Sequence, residues 1–171
     1  MNLKPMNAGD VLILNNSKVF PCRLFSHKNT GGKVEVFLIR EVEKDIWECL
    51  VTDSKKIQRG FCFNFSDQLK GELLDAGGGP TRKIRLTYQG SLDEILQKIG
   101  HIPLPRYIKR DDEELDQEKY QTIYAQEKGS VAAPTAGFHF TEEVLDQLKQ
   151  KGVGIHLITL HVGIGTFLPI R

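Results

Sequence analysis

Between Val19 and Tyr88 the apolar residues recur at alternate positions, in short runs divided by glycine-containing turns. No helical period interrupts them. Successive side chains of a strand point to opposite faces, so this pattern describes strands with one buried face. The spacing predicts strands over Val19–Ser26, Lys33–Ile39, Ile46–Thr52, Phe61–Phe65, Leu69–Leu74 and Arg82–Tyr88. Thr30-Gly31-Gly32 is a hairpin turn. Val34, Val36 and Leu38 share one face, as do Phe61, Phe63 and Phe65, and again Ile84, Leu86 and Tyr88. Short strands joined by such turns, with no helix between them, predict a small antiparallel barrel. Ala76-Gly77-Gly78-Gly79-Pro80 is a flexible turn. It lacks a following Lys-Ser/Thr and opens no helix, which argues against a phosphate loop.

Outside this block the period changes. Val11–Leu14 is a short apolar strand that runs into Asn15-Asn16. The two amides can hold a ligand, or serve a local turn. Ser91 and Glu94 form a capping box ahead of Leu92, Ile95, Leu96 and Ile99, and Gly100 ends that helix. A proline-punctuated arm, His101–Ile108, follows. Asp116–Gln126 reads as a short helix with Tyr120, Ile123 and Tyr124 inward. Glu142–Lys151 is a clearer one, capped by Thr141, with Val144, Leu145 and Leu148 inward and Gly152 closing it. Gly154–Val162 is then a strand with apolar residues on both faces, as expected where both faces of a sheet are covered.

Two corners stand out for their small residues. Gly129–Thr141 reads GSVAAPTAGFHFT. Pro134 holds Ala133 extended, and Gly137 can take φ > 0, so an extended segment breaking into a tight turn is expected. His139 lies between Phe138 and Phe140 at the entrance to a helix. The second corner, Gly163-Ile164-Gly165-Thr166, follows His161 at the carboxyl end of a strand, the edge where open α/β sheets bind ligands. It lacks the third glycine of a dinucleotide fingerprint. The first corner can equally be a close crossing of two backbones, and His161 a hydrogen-bonded core histidine. His27 and His156 read as structural or solvated. His139, His156 and His161 have no recognised ligand spacing, so no metal site is expected.

With Lys and Arg at 23 against Asp and Glu at 22, the formal net charge is +1, and no global electrostatic footprint marks a nucleic-acid partner. A polyanion would need a local patch. Arg106, Lys109 and Arg110, with Tyr107 among them, form the best one, able to hold phosphates and stack on a base. Ordinary surface charge explains them as well. Cys22, Cys49 and Cys62 are odd in number and lack metal or redox spacing, so they read as reduced thiols of a cytoplasmic protein. No apolar run approaches membrane-spanning length, and Met1–Asp10 has no signal-peptide pattern.

GSVAAPTAGFHFT together with TLHVGIGTF resembles the S-adenosylmethionine:tRNA ribosyltransferase-isomerase family of queuosine biosynthesis. Further matches are GDVLILNNSKVFPCRLF, TGGKVEVFL, PLPRYIKR and YQTIYAQEKGSVAAPTAGFHFT, along nearly the whole chain. Pro105-Arg106 stands where the family usually has Pro-Pro, and Cys22 where it usually has a small residue. The family's chains extend beyond both ends of this one, which implies a fragment lacking both family termini. The resemblance implies an α/β domain (mixed sheet with helices) formed by residues 1–16 and 100–171. An antiparallel β-barrel of residues 17–99 is inserted in it.

The activity so implied moves the ribosyl group of S-adenosylmethionine onto 7-aminomethyl-7-deazaguanine at the tRNA wobble position. The product is epoxyqueuosine, with adenine and methionine released. S-Adenosylmethionine is consumed as donor, so no separate cofactor is expected. The implied protein is a cytoplasmic monomer whose partners are its donor and tRNA carrying the precursor base, with no membrane. A sulfonium acidifies its neighbouring C–H protons, so a base near neutrality can remove one, and departing adenine needs a proton or hydrogen bond. His139 and His161 are the acid/base candidates. Thr135, Ala136, Gly137, Phe138, Phe140, Gly163, Gly165 and Thr166 would line the donor, with the two rings facing adenine or the sulfonium. Arg106, Tyr107, Lys109 and Arg110 would meet the anticodon stem-loop. The competing class is a non-catalytic RNA-binding module in which the barrel binds and the rest is scaffold.

Overall fold

The computed structural model describes residues 6–28, 30–52, 57–75, 80–105 and 108–166. Its strands, in chain order, are β1 (Val11–Asn15), β2 (Ser17–Val19), β3 (Arg23–His27), β4 (Lys33–Glu43), β5 (Ile46–Val51), β6 (Cys62–Ser66), β7 (Leu69–Leu73), β8 (Arg82–Tyr88), β9 (Glu127–Ser130) and β10 (Gly154–Ile158). The helices are α1 (Leu92–Ile99), α2 (Asp116–Lys119) and α3 (Glu142–Gln150). The chain divides into two compact units, one formed by Met1–Val19 with Glu113–Arg171, the other by Phe20–Asp112.

The second unit is a single six-stranded antiparallel sheet in the order β3-β4-β5-β8-β7-β6. Its two edges approach each other: the Asn64 N–H on β6 donates to Ser26 Oγ on β3 at 3.1 Å. The sheet is thus nearly closed into a barrel, which removes most of the exposed strand edge. The alternation works as the pattern requires. Leu24, Val34, Val36, Leu38, Cys49, Phe63, Leu69, Leu73 and Ile84 are fully buried in its interior. Gly31, at φ +84°, makes the β3–β4 turn, where the Lys28 N–H donates to Gly32 O at 2.8 Å. Gly71 leaves room for neighbours on adjacent strands, since a Cβ there would lie 2.5 Å from Ile84 Cδ1 and 3.0 Å from Phe65 Cε2. Burial pushes the Cys49 thiol up to about 12 and the Cys22 thiol well above its usual range, so both stay protonated packing groups. Ser91 caps α1 by accepting the Glu94 N–H at 3.4 Å. Gly100 serves close approach: a Cβ there would overlap the carbonyl oxygen of Pro21.

The strand expected over Val19–Ser26 is in fact two. Pro21 has no N–H to give to a ladder, and β2 ends before it while β3 begins after it. The turn expected at Ala76–Pro80 falls on residues of which only Pro80 is described.

The first unit is built on parallel pairing. β1 runs parallel to β10, in register from Val11↔Gly154 to Asn15↔Ile158, and β2 runs parallel to β9. Asn16 is the pivot between the two ladders. Its N–H donates to Ile158 O at 2.9 Å, and its carbonyl accepts the Gln126 and Glu127 N–H groups at 2.8 and 3.1 Å. The Gln121 carboxamide continues the pairing at the end of β2, accepting the Val19 N–H at 2.9 Å and donating to Val19 O at 2.8 Å. Thr141 caps α3 through the Val144 N–H at 3.3 Å, and Gly152 closes it at φ +81°.

Three expectations for this unit are corrected. The helix over Asp116–Gln126 is only the single turn α2, and Ile123, expected inward, is 52% exposed. Gln121 and Thr122 are taken up by the end of β2 and by the Gly137 turn, a tertiary demand that overrides local helix propensity. The strand over Gly154–Val162 stops at Ile158, because side chains take over from the ladder there. Among the described residues coverage on both faces is not found either: Val11 and Ile13, on the face that β10 extends with Ile158, are 56% and 58% exposed.

Candidate functional site

β9 delivers the chain into Val131, Ala132 and Ala133, all buried. Pro134, at φ −73° and ψ 79°, then leads into the tight turn expected there, a 3-10 turn over Thr135–His139. The Gly137 N–H donates to Pro134 O at 2.8 Å and the Phe140 N–H to Gly137 O at 3.1 Å. Gly137 is not in the left-handed region, contrary to the sequence expectation. It is needed for space: a Cβ there would overlap the Tyr124 hydroxyl and lie 2.6 Å from Thr122 Cγ2. The turn therefore rests on the Tyr120–Tyr124 segment. Phe138 meets Tyr120 edge-on with ring centroids 5.9 Å apart, and Phe140 meets Tyr124 in the same way at 6.4 Å. His139 sits between them, exposed with Thr135 and Ala136. Partial burial raises the Tyr124 hydroxyl above its usual range.

His161 stands beyond the carboxyl ends of β1 and β10, the edge expected for it. The segment that carries it is fastened by side chains. The Asn15 amide donates to Leu160 O at 2.9 Å while its oxygen accepts the Leu160 N–H at 3.0 Å. Thr159 Oγ1 donates to Asn16 Oδ1 at 2.7 Å. On the other side the fully buried Ser130 accepts the Val162 N–H at 2.9 Å and donates to Ala132 O at 2.8 Å, and the Val131 N–H donates to Val162 O at 2.9 Å. The imidazole lies against Gly129. A Cβ on that residue, at φ +138°, would come within 2.8 Å of His161 Cε1 and 3.0 Å of Nδ1.

The two small-residue corners are thus joined at 129–132 and 161–162. Among the described residues no hydrogen bond or ring contact links His139 to His161. Ile164–Thr166 form a 3-10 turn, and a Cβ at Gly163 or Gly165 would meet nothing within 4 Å. No group of three or more histidine, cysteine or acidic side chains among the described residues is arranged to hold a metal ion. Arg106 and Tyr107 lie outside the described residues. Lys109 and Arg110 are exposed, and the Arg110 guanidinium donates to Asp111 O at 2.9 Å. Among the described residues no helix is long and apolar enough to cross a membrane.

Sequence reasoning missed Tyr120, Thr122 and Tyr124 as the support of the turn, and Asn15, Asn16 and Ser130 as the fastening of His161. Asparagines directly after an apolar strand, at the carboxyl edge of a sheet, were the available signal for the latter.

Residues 3–171 match the family model described as queuosine biosynthesis protein. The chain is 47% identical over 165 residues to a Syntrophotalea carbinolica protein named S-adenosylmethionine:tRNA ribosyltransferase-isomerase, covering 95% of this chain and 48% of the relative. A Trichlorobacter lovleyi protein of the same name is 43% identical over 162 residues, with 95% and 48% covered. The solved S-adenosylmethionine tRNA ribosyltransferase of Thermotoga maritima is 29% identical with a TM-score of 0.40, over 92% of this chain and 42% of that one. The chain spans about half the length of the curated relatives it matches. It belongs to the queuosine biosynthesis protein family.

Proposed function

We propose that this chain is part of a tRNA-modifying transferase-isomerase. The reaction moves the ribosyl moiety of S-adenosylmethionine onto 7-aminomethyl-7-deazaguanine at the wobble position, giving epoxyqueuosine and releasing adenine and methionine. The observation that carries the reading is identity of 43–47% across nearly all of the chain to proteins named for that transfer. In this reading the α/β layer of residues 1–16 and 100–171 is catalytic, and the barrel of residues 17–99 is inserted in it. The protein acts as a cytoplasmic monomer with no cofactor beyond the donor it consumes.

His139 and His161 serve as the acid/base pair: one takes a proton made acidic by the sulfonium, and one supplies a proton or hydrogen bond to departing adenine. Thr135, Ala136, Gly137, Phe138, Phe140, Gly163, Gly165 and Thr166 line the donor. The space beside Gly163 and Gly165 supports that reading, because a nucleoside can lie on a backbone without Cβ atoms. The attacking amine must be held uncharged and close, which is chiefly positioning.

Calorimetry with S-adenosylmethionine tests the assignment, run on this chain and on a full-length relative as reference. Saturable binding is expected. Binding of tRNA with no binding of the nucleoside by either protein would favour the RNA-binding module instead. Arg106, Tyr107, Lys109 and Arg110 are read as the tRNA contact. Neutralising Arg106, Lys109 and Arg110 together should weaken tRNA binding and make the logarithmic salt slope shallower by roughly 0.7–0.9 per lost phosphate contact. An unchanged slope would remove the cluster from the interface.

A further inference from the structure

The residue carrying the proposed acid/base group at 161 lies outside any regular strand, exposed, on a segment with no ladder of its own. Such a segment ordinarily samples several backbone and rotamer states. Here both peptides flanking His161 are held by side chains. Asn15 behaves as a surrogate strand residue toward Leu160, giving one hydrogen bond and accepting one at 2.9 and 3.0 Å, just where the β1–β10 ladder ends. Ser130, with no exposed surface, accepts the Val162 N–H at 2.9 Å. Gly129 completes the arrangement from below, with no Cβ to push the imidazole away and a φ of +138° that other residues rarely adopt.

We infer that Asn15, Ser130 and Gly129 are positioning residues that hold the His161 imidazole in one orientation for the reaction. The inference rests on the reading of His161 as an acid/base group. None of the three touches the reacting atoms. They act by removing the freedom of the ring, and displacement of a catalytic group by about 1 Å can cost up to about 100-fold in rate. The one-donor, one-acceptor bond pair matches an amide and no other side chain of this size. Aspartate at position 15 would keep the acceptor for the Leu160 N–H and set a carboxylate against the Leu160 carbonyl.

The test has two arms. In this chain, three-bond couplings to His161 Cγ should report a single χ1 rotamer, and Asn15→Ala should average them while the melting temperature stays within a few degrees. Unaveraged couplings in Asn15→Ala overturn the inference whatever His161 does. In a full-length relative carrying the same motifs, Asn15→Ala at the equivalent residue should lower turnover about 10- to 100-fold. The same change in a His161→Ala background should cost nothing further, because residues acting as one unit are non-additive. Equal losses in both backgrounds would make Asn15 merely structural and overturn the inference. Full turnover in His161→Ala alone would instead strike the acid/base reading, leaving the coupling measurement to decide the positioning. If Asn15→Ala does not fold, Ser130→Ala replaces it with the same expected outcomes.

Discussion

Phe63→Ala is expected to cost the barrel unit about 3–5 kcal/mol, a large part of the roughly 5–15 kcal/mol that holds a whole domain folded. Phe63 heads the fully buried side chains by volume among the described residues. Its ring stands between Phe61, met edge-on at 4.9 Å, and Phe65, stacked at 5.8 Å with planes 5° apart. On the neighbouring strand the register sets Gly71 opposite it. That glycine has no side chain of its own to move into the cavity, and the space over it is held by Ile84 and Phe65. Poor collapse puts the loss toward the upper part of the range, since residual cavity volume adds to the lost transfer energy. Trp47, the single tryptophan, lies on β5 of the same unit and reports its unfolding by fluorescence. The denaturation midpoint should fall with an unchanged slope. Phe63→Leu should recover part of the loss. A cost of no more than about 1 kcal/mol, the centre of the range for point substitutions, would mean that the ring does not fill the barrel.

The barrel was legible because its physics is local. Alternation in Lys33–Ile39, Phe61–Phe65 and Arg82–Tyr88 names the buried face of each strand without knowledge of its partner. The caps at Ser91 and Thr141 were legible for the same reason: each accepts from an N–H three residues away. In the parallel layer β1 and β10 were each expected as strands, but the pairing was not legible, because it joins residues more than a hundred positions apart. Nothing near Glu127–Ser130 marks a strand. It becomes one because Asn16 offers its carbonyl to Gln126 and Glu127. Asp116–Gln126 has helical spacing, yet Gln121 is needed at Val19 and Thr122 beneath Gly137, and the helix ends after one turn. Within the site, the need for small residues at 129 and 137 could be read directly. Which atoms claim the space, the His161 ring and the Tyr124 hydroxyl, could not.

His161→Ala and His139→Ala, each made at the equivalent position of a full-length relative, are expected to lower release of adenine from S-adenosylmethionine by at least ~100-fold if the two rings act as acid and base. The two positions are built differently, yet both losses should fall on turnover rather than on binding of the donor. His161 is fastened through both neighbouring peptides and seated on Gly129, so its removal deletes a pre-oriented group and should fall mainly on kcat. His139 lies on a 3-10 turn between Phe138 and Phe140, whose rings are anchored on Tyr120 and Tyr124. The aromatic frame stays when the imidazole goes, so binding of the donor should survive in His139→Ala as well. Glutamine at either position can still accept or donate a hydrogen bond but cannot carry a proton near neutrality, and it should not restore turnover. Release of adenine near the parent rate in both alanine variants would mean that neither imidazole serves as acid or base. The seat at Gly129 would then be a packing device at the sheet edge.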